Sequence, residues 1–293
     1  MPTIDDLPIG AKLKFGAYSV DGEAPHKIRW IKAHRDNTVL SEYIEDLCAF
    51  DAKEPENPSP LRRSFGNNRY SLSNIHQFLN SEGTDWFQKK HAFDTAPDEL
   101  MYTQRNGYSL KPGFLTLFEQ WEIDAIEVSE IKIPLPRCDA QRGVLVETVY
   151  AKVFLPSTAN VGARRIEDVP KGDETWELFS MGPQSCHYSV ELRRSRRFRN
   201  RVVWARLDEI TACYLLRSPS RDTSYRTYAV EGNEVGSKAA CNPDSGIRPA
   251  LRLNPDTSIS DEPDSEGYYE VLALPQQAIE ISEKDFLAIL KTK

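Results

Sequence analysis

The chain has 293 residues, 40% of them hydrophobic and 28% charged, which is the make-up of a folded globular protein and excludes a disordered one. No apolar run approaches the ~18 residues that would suggest a membrane span, and a formal net charge of −7 argues against general affinity for nucleic acid. Five cysteines, at positions 48, 138, 186, 213 and 241, form no Cys-x-x-Cys pair, so neither a disulfide framework nor a structural zinc site is expected.

In chain order, Leu7 to Tyr18 alternates apolar and polar residues, the period of a half-buried strand. Ile28 to Ala33 and Thr38 to Ile44 read as two more strands, joined by an Arg35-Asp36-Asn37 turn. The Pro-rich stretch Glu54 to Pro60 is expected to be surface loop. A first helix is expected over 73–80, where Ser71 or Ser73 offers an N-cap oxygen and Ile75, Phe78 and Leu79 recur at helical spacing. A second is expected over 113–126, because Phe114, Leu117, Phe118, Trp121 and Ile126 make one apolar stripe. Glu127 to Leu135 and Val144 to Val149 are β-prone and flank a turn at 139–143, a hairpin pattern. The chain closes with an acidic linker (Asp261 to Glu266), a strand from Tyr268 to Leu274, and a short helix over 282–290 capped by Ser282. The expected organisation is a main domain over residues 1–255 and a C-terminal linker, strand and helix over 256–293. That tail either docks on the same domain or reaches a neighbouring subunit of a homo-oligomer.

The stretch from Cys213 to Leu253 carries the most information. Cys213 to Pro219, Thr227 to Val230 and Gly246 to Leu253 are short runs rich in β-branched and aromatic residues, separated by Ser, Pro, Asp, Gly and Asn. They are expected to form an antiparallel sheet. Arg217 and Arg248 stand in the outer runs beside apolar neighbours. A cation so close to a core usually meets a carboxylate or bare carbonyls, because an unpaired buried charge is very costly. The structural reading locks strand ends; the functional one binds an anion.

These residues resemble the signature of an uncharacterised domain of bacteria, especially Firmicutes, and of their phages, catalogued as domain of unknown function 6273. Its members end in a Trp-Leu-Arg-Ser-Pro strand and a Gly-Val-Arg-Pro-Ala-Leu strand. This chain has Leu215-Leu216-Arg217-Ser218-Pro219 and Gly246-Ile247-Arg248-Pro249-Ala250-Leu251, with Leu215 in the tryptophan's place. The similarity extends upstream to about residue 7 and includes the helix around Ile75, where His76 and Phe78 replace the family's Arg and Trp, and Lys111-Pro112-Gly113. It also includes Lys152 to Gly162, where Asn160 stands in a place that is often glutamate. If that glutamate pairs with a signature arginine, its replacement by Asn160 leaves the partner of that arginine open. The resemblance implies an α+β, C-type-lectin-like fold with small antiparallel sheets, two main helices and long irregular loops. Such a fold is related in shape to formylglycine-generating enzymes and to phage variable receptor-binding domains. It brings no established function with it.

Outside the signature, residues 193–206 hold seven arginines and no acid, with Phe198 and Trp204 interleaved. Guanidinium groups at that density suit phosphate, carboxylate or an acidic protein face, or else pair with the chain's own surplus acids. No phosphate loop, dinucleotide fingerprint, zinc-protease motif or nucleophile elbow is present, and the five histidines are isolated. The resemblance, with a lectin-like core whose irregular loops suit recognition more than catalysis, implies a non-enzymatic binding protein of phage or prophage origin, a virion or host-surface component, with a protein or glycan ligand. An intracellular inhibitor that docks on a host defence protein through the arginine-rich stretch is the alternative, and an enzyme with a site near Cys213 and Cys241 is a third reading. The candidate binding residues are Arg193, Arg194, Arg196, Arg197, Arg199, Arg201, Arg217, Ser218, Arg221, Tyr225, Arg226, Asn233 and Arg248, and the binding loops are expected at 217–227 and 231–245. No metal, cofactor, membrane or nucleic-acid partner is expected. The N-terminal residues lack the basic and apolar regions of a secretory signal, so the expected location is a host cytoplasm, or a virion after assembly and lysis.

Overall fold

The computed structural model describes residues 1–18, 25–98, 107–140, 144–163, 170, 172–180, 213–231 and 234–273. Over these residues the chain is mostly β, with three α-helices of six residues each. None of them is long and apolar enough to cross a membrane.

The larger sheet has seven strands. β1 (Lys12–Tyr18), β2 (His26–Lys32) and β3 (Thr38–Ser41) form an antiparallel meander. β13 (Ala250–Leu253) pairs with β3 on one edge and, on the other, with β5 (Ile126–Glu127) and β8 (Val153–Phe154). β14 (Tyr268–Glu270) adds in parallel to the far side of β1. The turn between β2 and β3 falls where expected, and Asn37 takes a positive φ of 63° there, a conformation that Asn tolerates better than most residues. The second sheet runs β11 (Glu234–Ala239), β10 (Arg226–Glu231), β9 (Tyr214–Pro219), β12 (Gly246–Ile247) and β4 (Asp46–Leu47). The expected hairpin is a separate ribbon of β6 (Ser129–Pro134) and β7 (Val146–Ala151).

Three expectations are corrected. The run from Gly246 to Leu253 is not one strand. Gly246 pairs in parallel with Tyr214 of the second sheet, whereas Ala250 to Arg252 pair with β3 of the first. The crossing is made at Arg248-Pro249, where proline has no N–H to give a ladder; the Pro249 carbonyl instead accepts the Ser41 N–H at 2.8 Å. The stretch 231–245 is also not mainly loop, because β11 pairs with β10 along six residues. Finally, the single helix expected over 113–126 is broken. A 3₁₀ turn over Phe114–Leu117 is followed by extended Phe118, and the α-helix Gln120–Ala125 starts afresh.

That break has a cause. Buried Glu122 accepts the Glu119 N–H at 2.9 Å, closing the new helix start, and the Gly16 N–H at 3.0 Å. Phe118 packs against Phe15 and Trp30, with ring centroids at 5.3 and 6.4 Å. A Cβ on Gly16 would stand 2.5 Å from the Phe118 ring, and Gly16 has φ +72°. Glycine is what this close approach and this backbone angle both require.

The helix expected near Ser73 forms as Asn74–Leu79, with the Ser73 side chain accepting the His76 N–H. A further helix, Pro60–Phe65, follows the Pro-rich connector and begins on its proline, which is favoured at a first turn because its missing N–H would lack a partner there. We label these helices α1 (Pro60–Phe65), α2 (Asn74–Leu79) and α3 (Gln120–Ala125). The linker and strand after residue 255 dock on the domain through β14. The expected C-terminal helix lies outside the described residues.

Candidate functional site

The two signature arginines sit between the sheets. Arg217, on β9, is 3% exposed. It donates to the Leu155 carbonyl and to Asn160 Oδ1, each at 2.8 Å, and to Asp173 Oδ1 at 2.9 Å. Its guanidinium also lies over the Phe154 ring of β8, 5.7 Å from the centroid. Asn160 thus meets the signature arginine from the place where the family often has glutamate, and Asp173 supplies the negative charge. Asn160 itself donates to Asp173 at 2.9 Å and accepts the Ser157 N–H at 2.9 Å, so the group is cross-braced. Arg248 is fully buried. Its Nε donates to the Ser41 carbonyl of β3 at 2.7 Å, while its guanidinium covers Tyr214 of β9 at 5.4 Å. Each arginine therefore ties one sheet to the other. Ser218 is also buried, with its hydroxyl accepting the Thr158 N–H at 3.1 Å.

The remaining described candidates come to the surface. After β9 the chain turns through 220–225 and returns as β10. The side-chain amide of buried Asn68 holds this loop, donating to the carbonyls of Ser220, Thr223 and Arg226 at 3.1, 2.9 and 2.7 Å. Arg62 of α1 donates to the Ser224 carbonyl at 3.2 Å. The Arg221 carbonyl accepts the Arg137 N–H at 2.9 Å, and Arg137 pairs with Asp222 at 3.0 Å. On the loop so fixed, Tyr225 stacks on Phe65 of α1, with ring centroids 4.9 Å apart and planes at 30°. The Arg226 guanidinium lies over the other part of this pair, 5.6 Å from the Tyr225 centroid. Phe65 is 40% exposed and Leu61, on the same helix, 46%. The result is an apolar platform of two stacked rings with the Arg226 guanidinium beside it.

The structure brings Tyr225 and Arg226 into this one surface, holds Arg221 on the same loop through its backbone carbonyl, and leaves Arg217, Ser218 and Arg248 inside. Asn233 and Arg193, Arg194, Arg196, Arg197, Arg199 and Arg201 lie outside the described residues. Sequence reasoning missed Phe65, Asn68 and Asp173. Phe65 carried one usable signal: an aromatic residue directly before Gly66, at the end of a helix that starts on Pro60.

The thiols near the signature have different surroundings. Burial pushes Cys213 up to about 11. Burial also raises Cys241, whose sulfur bonds the Ser64 carbonyl. A thiol protonated at neutral pH is a poor nucleophile. Among the described residues no group of His, Cys, Asp and Glu is arranged to hold a metal ion.

Fold and surface together define a mostly β protein whose two larger sheets are pinned by two interior arginines, with a stacked aromatic pair displayed on a braced loop. The sequence profile described as "Domain of unknown function (DUF6273)" matches residues 36–255, well over half of the chain, and the chain belongs to that family. β1 and β2 precede the matched region, and β14 follows it, yet all three are strands of the larger sheet. No curated protein and no solved structure matches the chain.

Proposed function

We propose that this chain is a non-enzymatic binding protein of phage or prophage origin, a virion or host-surface recognition component with a C-type-lectin-like core, and that its ligand there is a protein. The observation that carries this reading is the Phe65–Tyr225 stack at the surface, covered on one side by Arg226. Large aromatic residues and arginine supply most of the energy of protein interfaces. A stacked pair on a loop already fixed by Asn68 loses little freedom on association, so more of its burial appears as affinity. The protonated thiols of Cys213 and Cys241 weigh against the enzymatic reading.

The test is affinity capture from particles and host lysate, followed by light scattering on the isolated complex. A stoichiometric partner is expected for the native chain, with binding weakened at least about tenfold by Tyr225→Ala or Phe65→Ala, the loss typical of an interface anchor. Binding that survives both substitutions and is lost on Arg196→Glu, Arg197→Glu and Arg199→Glu would replace this reading with that of an inhibitor acting through the arginine-rich stretch.

A further inference from the structure

The Arg217 group forms one wall of an open cavity of about 220 Å³. Ligand pockets that enclose drug-sized molecules run to roughly 300–1,000 Å³, so this one has room for a single small ring. Its lining is mostly polar, and the fixed charges are closed upon one another. Asp173 is bonded to Arg217, Asp36 to Arg252, and Glu174 lies 3.3 Å from His34 Nε2. Glu130 and Lys132, one acid and one base, are exposed on β6 at the rim and make no ion pair among the described residues. Phe154 and Trp176 add an apolar wall.

We propose that this cavity binds a neutral polyhydroxylated ring, one monosaccharide unit. Three features of the lining select that chemistry. An anion or cation would have to compete with carboxylates and guanidiniums that already neutralise each other, and breaking a buried pair leaves an uncompensated charge. A neutral molecule avoids that cost. Hydroxyl groups both donate and accept, which suits a wall where acceptors alternate with donors: Asp173 Oδ2 makes no hydrogen bond among the described residues, while Lys132 offers N–H donors. The aliphatic face of a sugar ring also needs an apolar surface, and Phe154 and Trp176 supply one. The polar side chains are held in place beforehand, since Asn160 braces both Asp173 and Arg217, and pre-organisation of this kind lowers the entropic cost of binding. The site uses none of the residues of the Phe65–Tyr225 platform, so either can stand without the other.

The experiment is titration calorimetry and ligand-observed NMR of the full chain against glucose, galactose, mannose and N-acetylglucosamine, with their methyl glycosides, and against acetate, phosphate and glycine. Saturable binding of at least one sugar is expected, with Kd near 1 mM or tighter, roughly the scale of a single small-ligand contact set. Glu130→Ala with Lys132→Ala, both at exposed positions, is expected to weaken it about tenfold while the melting temperature holds. A methyl glycoside that binds as well as the free sugar marks the site as one for a glycan terminus, and loss on glycosidation marks it as one for the free sugar. Tighter binding of acetate, phosphate or glycine than of any sugar overturns the proposal, as does the absence of saturable sugar binding or a rim variant that binds unchanged.

Discussion

Arg217 has three acceptors of different kinds, and only Asp173 carries a charge. At Asn160 the guanidinium meets a neutral amide oxygen, and the charge comes from Asp173. Asn160→Glu would therefore set a second carboxylate beside Asp173 around one cation, and like charges in a buried site repel strongly. A loss of about 1–3 kcal/mol in urea denaturation is expected, within the range of disrupted buried networks. Adding Asp173→Asn to Asn160→Glu returns the count to one acid per arginine, so most of that loss should be recovered, with a coupling energy of about 0.5–3 kcal/mol. Additive effects in that cycle would show that the two positions do not share the charge. His76 makes a different kind of residue-level statement. Burial, with a smaller push from Lys90, pulls its pKa down to about 4, against about 6.5 in an unfolded chain. The folded state holds the ring neutral, so its stability is full above the unfolded value and is lost as pH falls from there toward the folded one. His76→Gln should flatten the acid limb of a melting-temperature profile between those values; an unchanged limb would mean that other groups set it.

The strand that follows the family match is also the one most open to a simple test. β14 covers the outer edge of β1, and its Tyr268 is buried beneath Lys12, Lys14 and Arg29, whose charged groups lie 5.3, 5.2 and 4.8 Å from the ring centroid. The acidic linker closes over the same cations: Lys14 bonds to Asp264 and Glu266, and Arg29 reaches Glu266 at 2.8 Å. A chain truncated after Asn254 would uncover the β1 edge and the bed of Tyr268, and an open apolar edge strand invites pairing with other chains. It should melt lower and elute partly as aggregate in size-exclusion chromatography. Glu266→Gln should instead leave the melting temperature nearly unchanged, because an exposed ion pair contributes little; equal losses for the two changes would assign the stability to charge rather than to the strand. Much at this scale was legible in the sequence: the β6–β7 hairpin, the Ser73 cap and the Asn37 turn are all local patterns. What was not legible depends on distant contacts. The apolar stripe over 113–126 has helical period, yet Phe118 leaves the helix to meet Gly16 and Trp30. Nothing within 246–253 tells that Pro249 hands the chain to another sheet, since that is decided by Ser41. The platform is divided in the same way, because Tyr225 and Arg226 stand in the signature and Phe65 comes from α1.

Across the whole molecule the net charge of −7 hides acids in the interior as well as on the surface. Asp51, Glu54 and Asp94 are all buried close to one another, around Asn67, Asn74 and His91. Burial raises all three carboxyls, Asp51 well above the usual carboxylate range, and for Asp51 the charges of Glu54 and Asp94 add to the effect. The folded state then binds these protons more tightly than the unfolded one. By linkage, their contribution is full below the unfolded carboxylate values, near about 4, and falls away as pH rises through the raised folded ones. This slope runs opposite to that of His76, so stability should peak at mildly acidic pH. Glu54→Gln separates the two. Glu54 Oε2 accepts from Asn57, an oxygen that glutamine retains, while Oε1 faces His91 Nε2 at 3.2 Å without a hydrogen bond. The substitution removes one buried charge at nearly constant shape and lowers the repulsion on Asp51. Urea midpoints should therefore rise relative to the native chain at pH 8 and differ little at pH 5. An equal loss at both values would show that the Glu54–His91 ion pair outweighs the cost of burying the carboxylate, and that the acids of this cluster are held charged by their partners.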